Sequence, residues 1–390
     1  MADTYTVTSK SSYGNRLTNG LKGIVWWFVC IIWAIILLAW NENNYVEQKA
    51  ALDETKAETI ETSVSKIDPE LDWKVIYVSW KTSSPMEEAL VDPIFRVKTD
   101  DLKLYREVEM YQWEEEEHTE TEDNLWGGST TTTTYTYDKV WSSDHIDSSN
   151  FAKSEGHTNP ARRYDSESFE KEPILLGAYT LTPTYVKSLT KKSPVTLADQ
   201  ADIPEIEGMT GNESMLYIGE DATNPQVWDL RIRFYSVRPG DASVVWEQNW
   251  DTIRSHTTSN WRVIALIDES NISMDGLFEQ AYSSNTMITW ILRFVGIFLL
   301  WAWFSMIFGI LEAIAKVIPF LGNLVWAATG IVSFCLALVV WLTTIAISWL
   351  VVRPIIWASV LAIVVLVIVW LSMYNKGKKA ESQPTEVIEA

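Results

Sequence analysis

Cysteine is nearly missing from this chain: 390 residues hold two, Cys30 and Cys335, and both fall inside apolar runs. The rest of the sequence therefore has no disulfide framework and no thiolate zinc site. Histidine is scarce as well. His118, His145, His157 and His256 are the four, and none stands in HExxH or a comparable metal-ligating spacing. Neither a GxSxG elbow nor a glycine-rich phosphate loop occurs. Catalytic residues, cofactors and metal ligands are accordingly all read as none. Positive charge is short too: 31 Lys+Arg stand against 51 Asp+Glu, a net charge of −20. Such a field repels nucleic acid and favours basic partners or cations, which excludes a nucleic-acid role.

Long apolar runs are what the chain has. The first, 21–40, carries no charge after Lys22. About 20 residues at a rise of about 1.5 Å match a hydrocarbon core of about 30 Å. It reads as a retained signal-anchor, because the run is too long for a signal-peptide core and no small-x-small cleavage site follows Trp40. Three more runs crowd the C-terminus at 286–311, 321–350 and 355–374. Trp26, Trp27, Trp40, Trp290, Trp349, Trp357, Trp370 and Tyr374 lie at or near run ends, where amphipathic rings favour the headgroup layer. Lys10, Arg16 and Lys22 precede the first run, and Lys376, Lys378 and Lys379 follow the last. By the positive-inside tendency both tails, 1–20 and 375–390, are expected in the cytosol, with 41–285 extracytoplasmic (luminal or periplasmic). That segment holds 46 acidic residues against 22 basic ones, a net −24. The fold class expected is an integral membrane α+β protein: four transmembrane helices, one N-terminal and three C-terminal, around a large β-rich domain.

Within 41–285, Tyr45–Ala57 reads as a short helix and Thr59–Val64 as a strand. From Trp73 on, period-two runs rich in β-branched and aromatic residues predict strands at Lys74–Trp80, Ile94–Lys98, Leu104–Trp113, Thr131–Trp141, Met215–Ile218, Asp229–Val237, Ser243–Trp250 and Arg262–Ile267. The alternation in Arg231–Val237 predicts one wet and one packed face. Glu114–Ser129, with Gly127-Gly128, reads as an exposed loop between two long strands. Its acidic run lacks the alternating oxygens and central glycine of a calcium loop, so it reads as a solvated tip. Met274–Tyr282 reads as an amphipathic helix lying on the outer leaflet.

One set of residues resembles a known family, the LUMA family (transmembrane protein 43). It comprises Arg106-Glu107-Val108-Glu109-Met110-Tyr111-Gln112-Trp113, then Trp141, Asn150-Phe151 and Gly156-His157-x-Asn159-Pro160. Asn224-Pro225, Asp229-Leu230-Arg231, Ser284-Asn285-Thr286-Met287-x-Thr289-Trp290 and Arg353-Pro354 continue it. Asn41-Glu42 fits as well, although Asn43-Asn44 stands where the family continues with Gly-Arg. The resemblance implies four spans and a large luminal domain. In eukaryotes it implies the endoplasmic reticulum and inner nuclear membrane, with members regarded as membrane organisers and envelope scaffolds; in bacteria, a cytoplasmic membrane. The candidate interaction residues are Arg106, Glu109, Tyr111, Trp113, Trp141, His157, Asn159, Pro160, Asp229 and Arg231.

Ionisable groups in or near the spans form a second candidate set: Arg293, Glu312, Lys316 and Arg353. Charge at midspan costs about 2.5–3.5 kcal/mol. Arg293 lies some seven residues into its run with no acidic residue evident at its depth, within snorkelling reach of the headgroups. Glu312 and Lys316 are an i, i+4 pair expected in the turn between the second and third spans. All four read as interface anchors around a tight cluster in which Gly296, Gly309, Ala327, Ala328 and Gly330 allow close packing. The function expected is a non-enzymatic multi-pass scaffold or organiser. Its partners would be membrane lipids and proteins, with self-association through the C-terminal helices. The alternative is an ion channel or transport component built from the last three spans.

Overall fold

The structure, a computed structural model, describes residues 3–124, 128–315, 319–352 and 359. Apart from residue 359, the expected span 355–374 lies outside the described residues, as do the tail 375–390, Lys316 and Arg353. The chain divides into two units, a β-rich one from residues 3–18 and 49–284 that also takes in 313–315 and 319–321, and a helical one from 19–48, 285–312 and 322–352.

Four helices are described: α1 (Tyr13–Glu58), the short α2 (Pro183–Ser188), α3 (Met274–Ala315) and α4 (Pro319–Val352). Among the described residues three stretches are long and apolar enough to cross a membrane: Val29–Glu58, Met274–Phe308 and Thr329–Val351. Helix α1 corrects the expected break between span and following helix. No proline or glycine interrupts it after Gly23. The polar Asn41 does not unwind it either, because its amide donates to the Thr289 carbonyl of α3 (3.1 Å) instead of competing for its own backbone. Helix α3 is equally continuous, so Met274–Tyr282 is no separate in-plane helix. Leu277 and Phe278 are buried with Ala51, Leu52, Val75, Tyr77 and Val245, a protein core rather than a lipid surface. Glu312 falls inside α3, not in a turn after it.

In the helical unit Ala34, Leu38, Leu300 and Ala337 are buried together. Gly296 is what permits this: a Cβ there would come within 2.4 Å of Leu38 Cδ2. Trp33, Phe294, Phe298, Ile331 and Val351 point outward, each at least 60 % exposed. Helices apolar on their outer faces need an apolar solvent, which a bilayer supplies.

The β-rich unit contains an eight-stranded and a seven-stranded sheet. The first runs in the order Asp3–Ser11, Ser129–Ser142, Lys103–Asp123, Leu230–Val237, Leu216–Ile218, Met209–Gly211, with Glu167–Glu170 and Lys192–Pro194 paired alongside. Leu230–Val237 alternates as predicted, with Leu230, Ile232, Phe234 and Ser236 buried. In the second sheet, Asp241–Asn249, Thr252–Arg254, Tyr179–Thr180, Leu175–Leu176 and Val75–Ser83 pair in a circuit that returns to its start. Trp246, Tyr179, Ile76 and Ile253 fill the associated core. The two cysteines are free.

Two expectations are corrected here. Glu114–Asp123 is strand, not loop: Lys103–Asp123 and Ser129–Ser142 stay in register from Met110↔Ser142 to Asp123↔Ser129. Repulsion along the acidic run is relieved across the hairpin. From Glu115 on, each acidic residue faces a Tyr, Thr or Ser, and carboxylates on adjacent residues point to opposite faces. Ile94–Lys98 is mostly turn, because the Asp92 carboxylate accepts the Ile94 and Phe95 amides (2.9 and 2.7 Å); only Lys98–Thr99 is strand. Residues 3–11, within the N-terminal tail, form the outer strand of the eight-stranded sheet.

Candidate functional site

In the helical unit the polar residues converge. Arg293 of α3 meets Glu42 of α1 in a two-pronged ion pair, Nε to Oε1 at 2.6 Å and Nη2 to Oε2 at 2.7 Å. Trp349 of α4 donates its indole N–H to Glu42 Oε2 at 2.5 Å, and Trp341 donates its own to the Arg293 carbonyl at 2.9 Å. The guanidinium lies over the Trp290 ring, 4.7 Å from its centroid. Glu42 is fully buried and Arg293 nearly so. An acidic residue therefore does share the depth of Arg293, which corrects its reading as a lone snorkelling anchor. The planar fork of arginine satisfies both carboxylate oxygens, and each added indole donor lowers the cost of holding charge away from water. The sequence signal for Glu42 was its place in Asn41-Glu42, immediately after the first apolar run.

In the β-rich unit the candidate residues separate into neighbouring groups. Arg106 is buried and spends all three nitrogens: Nη1 on Asp92 (2.5 Å), Nη2 on Glu167 (2.7 Å) and Nε on the Asp165 carbonyl (2.9 Å). Glu109 pairs with Arg231 at 3.1 Å and Arg233 at 2.7 Å. Arg231 lies over Trp141, 3.9 Å from the centroid, and Trp141 packs on Tyr111 at 5.1 Å. This half-buried row follows from register, since Arg231 sits opposite Glu109 and Tyr111 opposite Trp141. Asp229 is buried, accepting the Tyr217 hydroxyl and the Gln226 amide. Gly219 makes room for it, for a Cβ there would meet Asp229 Cγ at 2.4 Å.

Asn159 acts as a piece of strand. Its Oδ1 accepts the Trp113 amide (2.7 Å), while its Nδ2 donates to the Trp113 and Ile146 carbonyls (2.9 and 3.1 Å). His157 is buried, stacked on Tyr137 at 3.9 Å and edge-on to Trp113 at 4.8 Å. Pro160 is exposed beside them. Buried Arg106, Asn159 and Asp229 spend their polar atoms inside the unit, while buried His157 turns one ring nitrogen to Asp3 of the outer strand.

Tyr137 gives a spectroscopic handle on this cluster. Burial, reinforced by donation of its hydroxyl to Glu115 (2.6 Å), pushes its pKa from 10.0 up to about 12. The folded state favours the neutral phenol, so its stabilisation is complete below pH 10 and lost between pH 10 and about 12. Subtracting the tyrosinate absorbance curve of Tyr137→Phe should isolate one residue titrating near the top of that window. A residue ionising at pH 10 would refute the burial argument.

Apolar-faced helices locked by a buried ion pair, together with a large two-sheet domain in the same chain, define a multi-span membrane protein with a β-rich domain. The transmembrane protein 43 family profile matches residues 110–354, so the chain belongs to that family. It is 27 % identical over 379 residues to transmembrane protein 43 of Rattus norvegicus, covering 93 % of this chain and 92 % of the relative. Identity to the Homo sapiens protein is 26 % over 371 residues (91 % and 90 %), and to the Drosophila melanogaster homolog 28 % over 364 (86 % and 92 %). No solved structure matches the chain.

Proposed function

We propose that this protein is a non-enzymatic multi-pass membrane scaffold that presents its acidic domain, on the extracytoplasmic side, to protein or lipid partners. The observation that carries the reading is where backbone strain is placed. Among the described residues, four of the five non-glycine positions with positive φ are tryptophans: Trp73 (65°), Trp228 (88°), Trp250 (55°) and Trp261 (63°). All four are exposed, from 51 % at Trp228 to 86 % at Trp261. A bulky residue held in the left-handed region costs on the order of 1–3 kcal/mol, and such strain concentrates where function needs it. Rigid, amphipathic tryptophan is also the side chain most enriched at binding hot spots. Exposure without enclosure suits adhesion to a partner better than catalysis.

Orientation rests on Lys376, Lys378 and Lys379. With that end cytosolic, three crossings after the domain leave the domain on the opposite face. The host membrane follows the family's implied residence. The alternative, an ion pathway through Arg293, loses support because Arg293 and Glu42 neutralise each other.

The test is a photocrosslinking amino acid placed at 228, 250 and 261 in the full chain, activated in native membranes. Discrete, reproducible adducts are expected at two or more of these positions, and none at exposed control positions such as Asp221. Absence of adducts at all three would overturn the reading.

A further inference from the structure

The outer edge of the eight-stranded sheet is the feature that this reading leaves unused. Asp3–Ser11 pairs antiparallel with Ser129–Tyr137 over nine residues, from Asp3↔Tyr137 to Ser11↔Ser129. Little apolar surface holds it: eight of its nine residues are exposed. Two side chains clasp it. Tyr5 stacks on Tyr135 at 6.2 Å, and the Asp3 carboxylate lies 3.0 Å from Nε2 of buried His157. His157 Nδ1 is 3.0 Å from the Lys153 carbonyl. A carbonyl oxygen only accepts, and so does a carboxylate, so each contact is satisfied when the ring nitrogen facing it donates. The ring stacks on the face of Tyr137 and meets Trp113 edge-to-face. His157 is thus built into the β-rich unit as a receptor for a carboxylate arriving on a neighbouring strand.

Chain order makes this seat unusual. The strand precedes α1, and the domain follows it. A helix that crosses a bilayer once puts its two ends on opposite faces. Once α1 crosses, the chain's own strand can no longer reach Ser129–Tyr137. What remains is an edge of nine residues, seven of them Ser or Thr, with no proline, lysine or bulge to protect it. Backbone groups of such an edge seek another strand, the mode of recognition called strand addition.

We propose that Ser129–Tyr137 is a strand-acceptor site for an extended, hydroxyl-rich segment of a partner polypeptide bearing a carboxylate where it meets His157 and an aromatic ring two residues on. The chain's own Asp3–Ser11 shows the chemistry that fits. The inference deepens the scaffold reading by naming a partner class, and it stands on a surface separate from the four tryptophans. Loss of one therefore leaves the crosslinks of the other intact.

The probe is a fluorescent peptide of residues 3–11 added to the otherwise full-length chain lacking residues 1–12, in detergent micelles. Saturable binding is expected, with a scrambled peptide inert. The Asp3→Asn peptide should bind about tenfold more weakly, the scale of a charge-assisted hydrogen bond. In a His157→Gln background, whose folding is verified by near-ultraviolet circular dichroism, the two peptides should bind alike. No binding to the truncated chain, or equal affinity of both peptides for the native His157, overturns the proposal. A second measurement addresses vacancy. In sealed vesicles, Ser9→Cys and Thr223→Cys should react with an impermeant maleimide from opposite sides. Labelling of both from one side would mean that the chain keeps its own strand, and would overturn a site for a partner.

Discussion

Replacing Glu42 by alanine is expected to destabilise the helical unit by about 3–5 kcal/mol, the cost of leaving one charge of a buried pair uncompensated. Arg293 would keep its place over Trp290 but lose both oxygens it now holds. Arg293→Ala should cost as much, since the fully buried Glu42 would retain only the Trp349 indole among its charge-stabilising donors. Neutral contacts nearby are worth far less. The Thr289 hydroxyl donates only to the Asn285 carbonyl of its own helix, and Asn41 uses the Thr289 backbone carbonyl, which alanine keeps, so Thr289→Ala should be almost silent. The decisive variant is the double replacement Glu42→Gln with Arg293→Met, which removes both charges and should recover more than half of the loss. Thermal unfolding of the full chain in micelles, followed by tryptophan fluorescence, measures all four. If the double variant is as unstable as the two singles added together, the pair is no coupled unit and the assignment fails.

The same pair shows what the sequence could and could not disclose. That Arg293 lies at depth is written in its run, because depth is a local count of residues. Its partner is not local: Glu42 lies 251 positions away, and which acid shares its level depends on the register of α1 against α3. The fold repeats this division. Period-two alternation in Leu230–Val237 was legible because a strand's two faces are encoded by neighbours. The acidic stretch Glu114–Asp123 was misread as loop, since along the chain its charges only repel. The hydroxyls that accommodate them stand across the hairpin, on Ser129–Tyr137. Tryptophan was visible as an abundance, yet the four residues that matter for contact are picked out by φ and exposure, neither of which composition reports. His157 was singled out in its turn, and its backbone partner Lys153 is as local as supposed. Its second partner, Asp3, comes from the far side of α1 and could not be inferred.

Arg106→Ala should produce the second large loss, again about 3–5 kcal/mol, and in the β-rich unit. Asp92 is completely buried and keeps the Ile94 and Phe95 amides, but its Oδ2 would be left without a cation. The turn from Asp92 to Val97 is closed by that carboxylate and by the Asp92 backbone, whose amide donates to the Val97 carbonyl and whose carbonyl accepts the Arg96 amide. Lysine should not rescue. One ammonium on a flexible stem cannot reach Asp92, Glu167 and the Asp165 carbonyl at the angles a planar guanidinium provides. Glu167→Ala supplies the contrast. Its side chain is half exposed, so water replaces the lost partner and the cost should stay under about 1 kcal/mol. Hydrogen exchange on the full chain separates the cases. Arg106→Ala should release protection at Phe95 and Arg96 first and lower the unfolding midpoint, while Glu167→Ala leaves both near the parent values. Equal effects would mean that exposure does not govern these two ion pairs, and that Arg106 is a surface clamp like its neighbours. The ordering follows from desolvation alone: the partner that cannot be rehydrated is the one whose loss the fold cannot absorb.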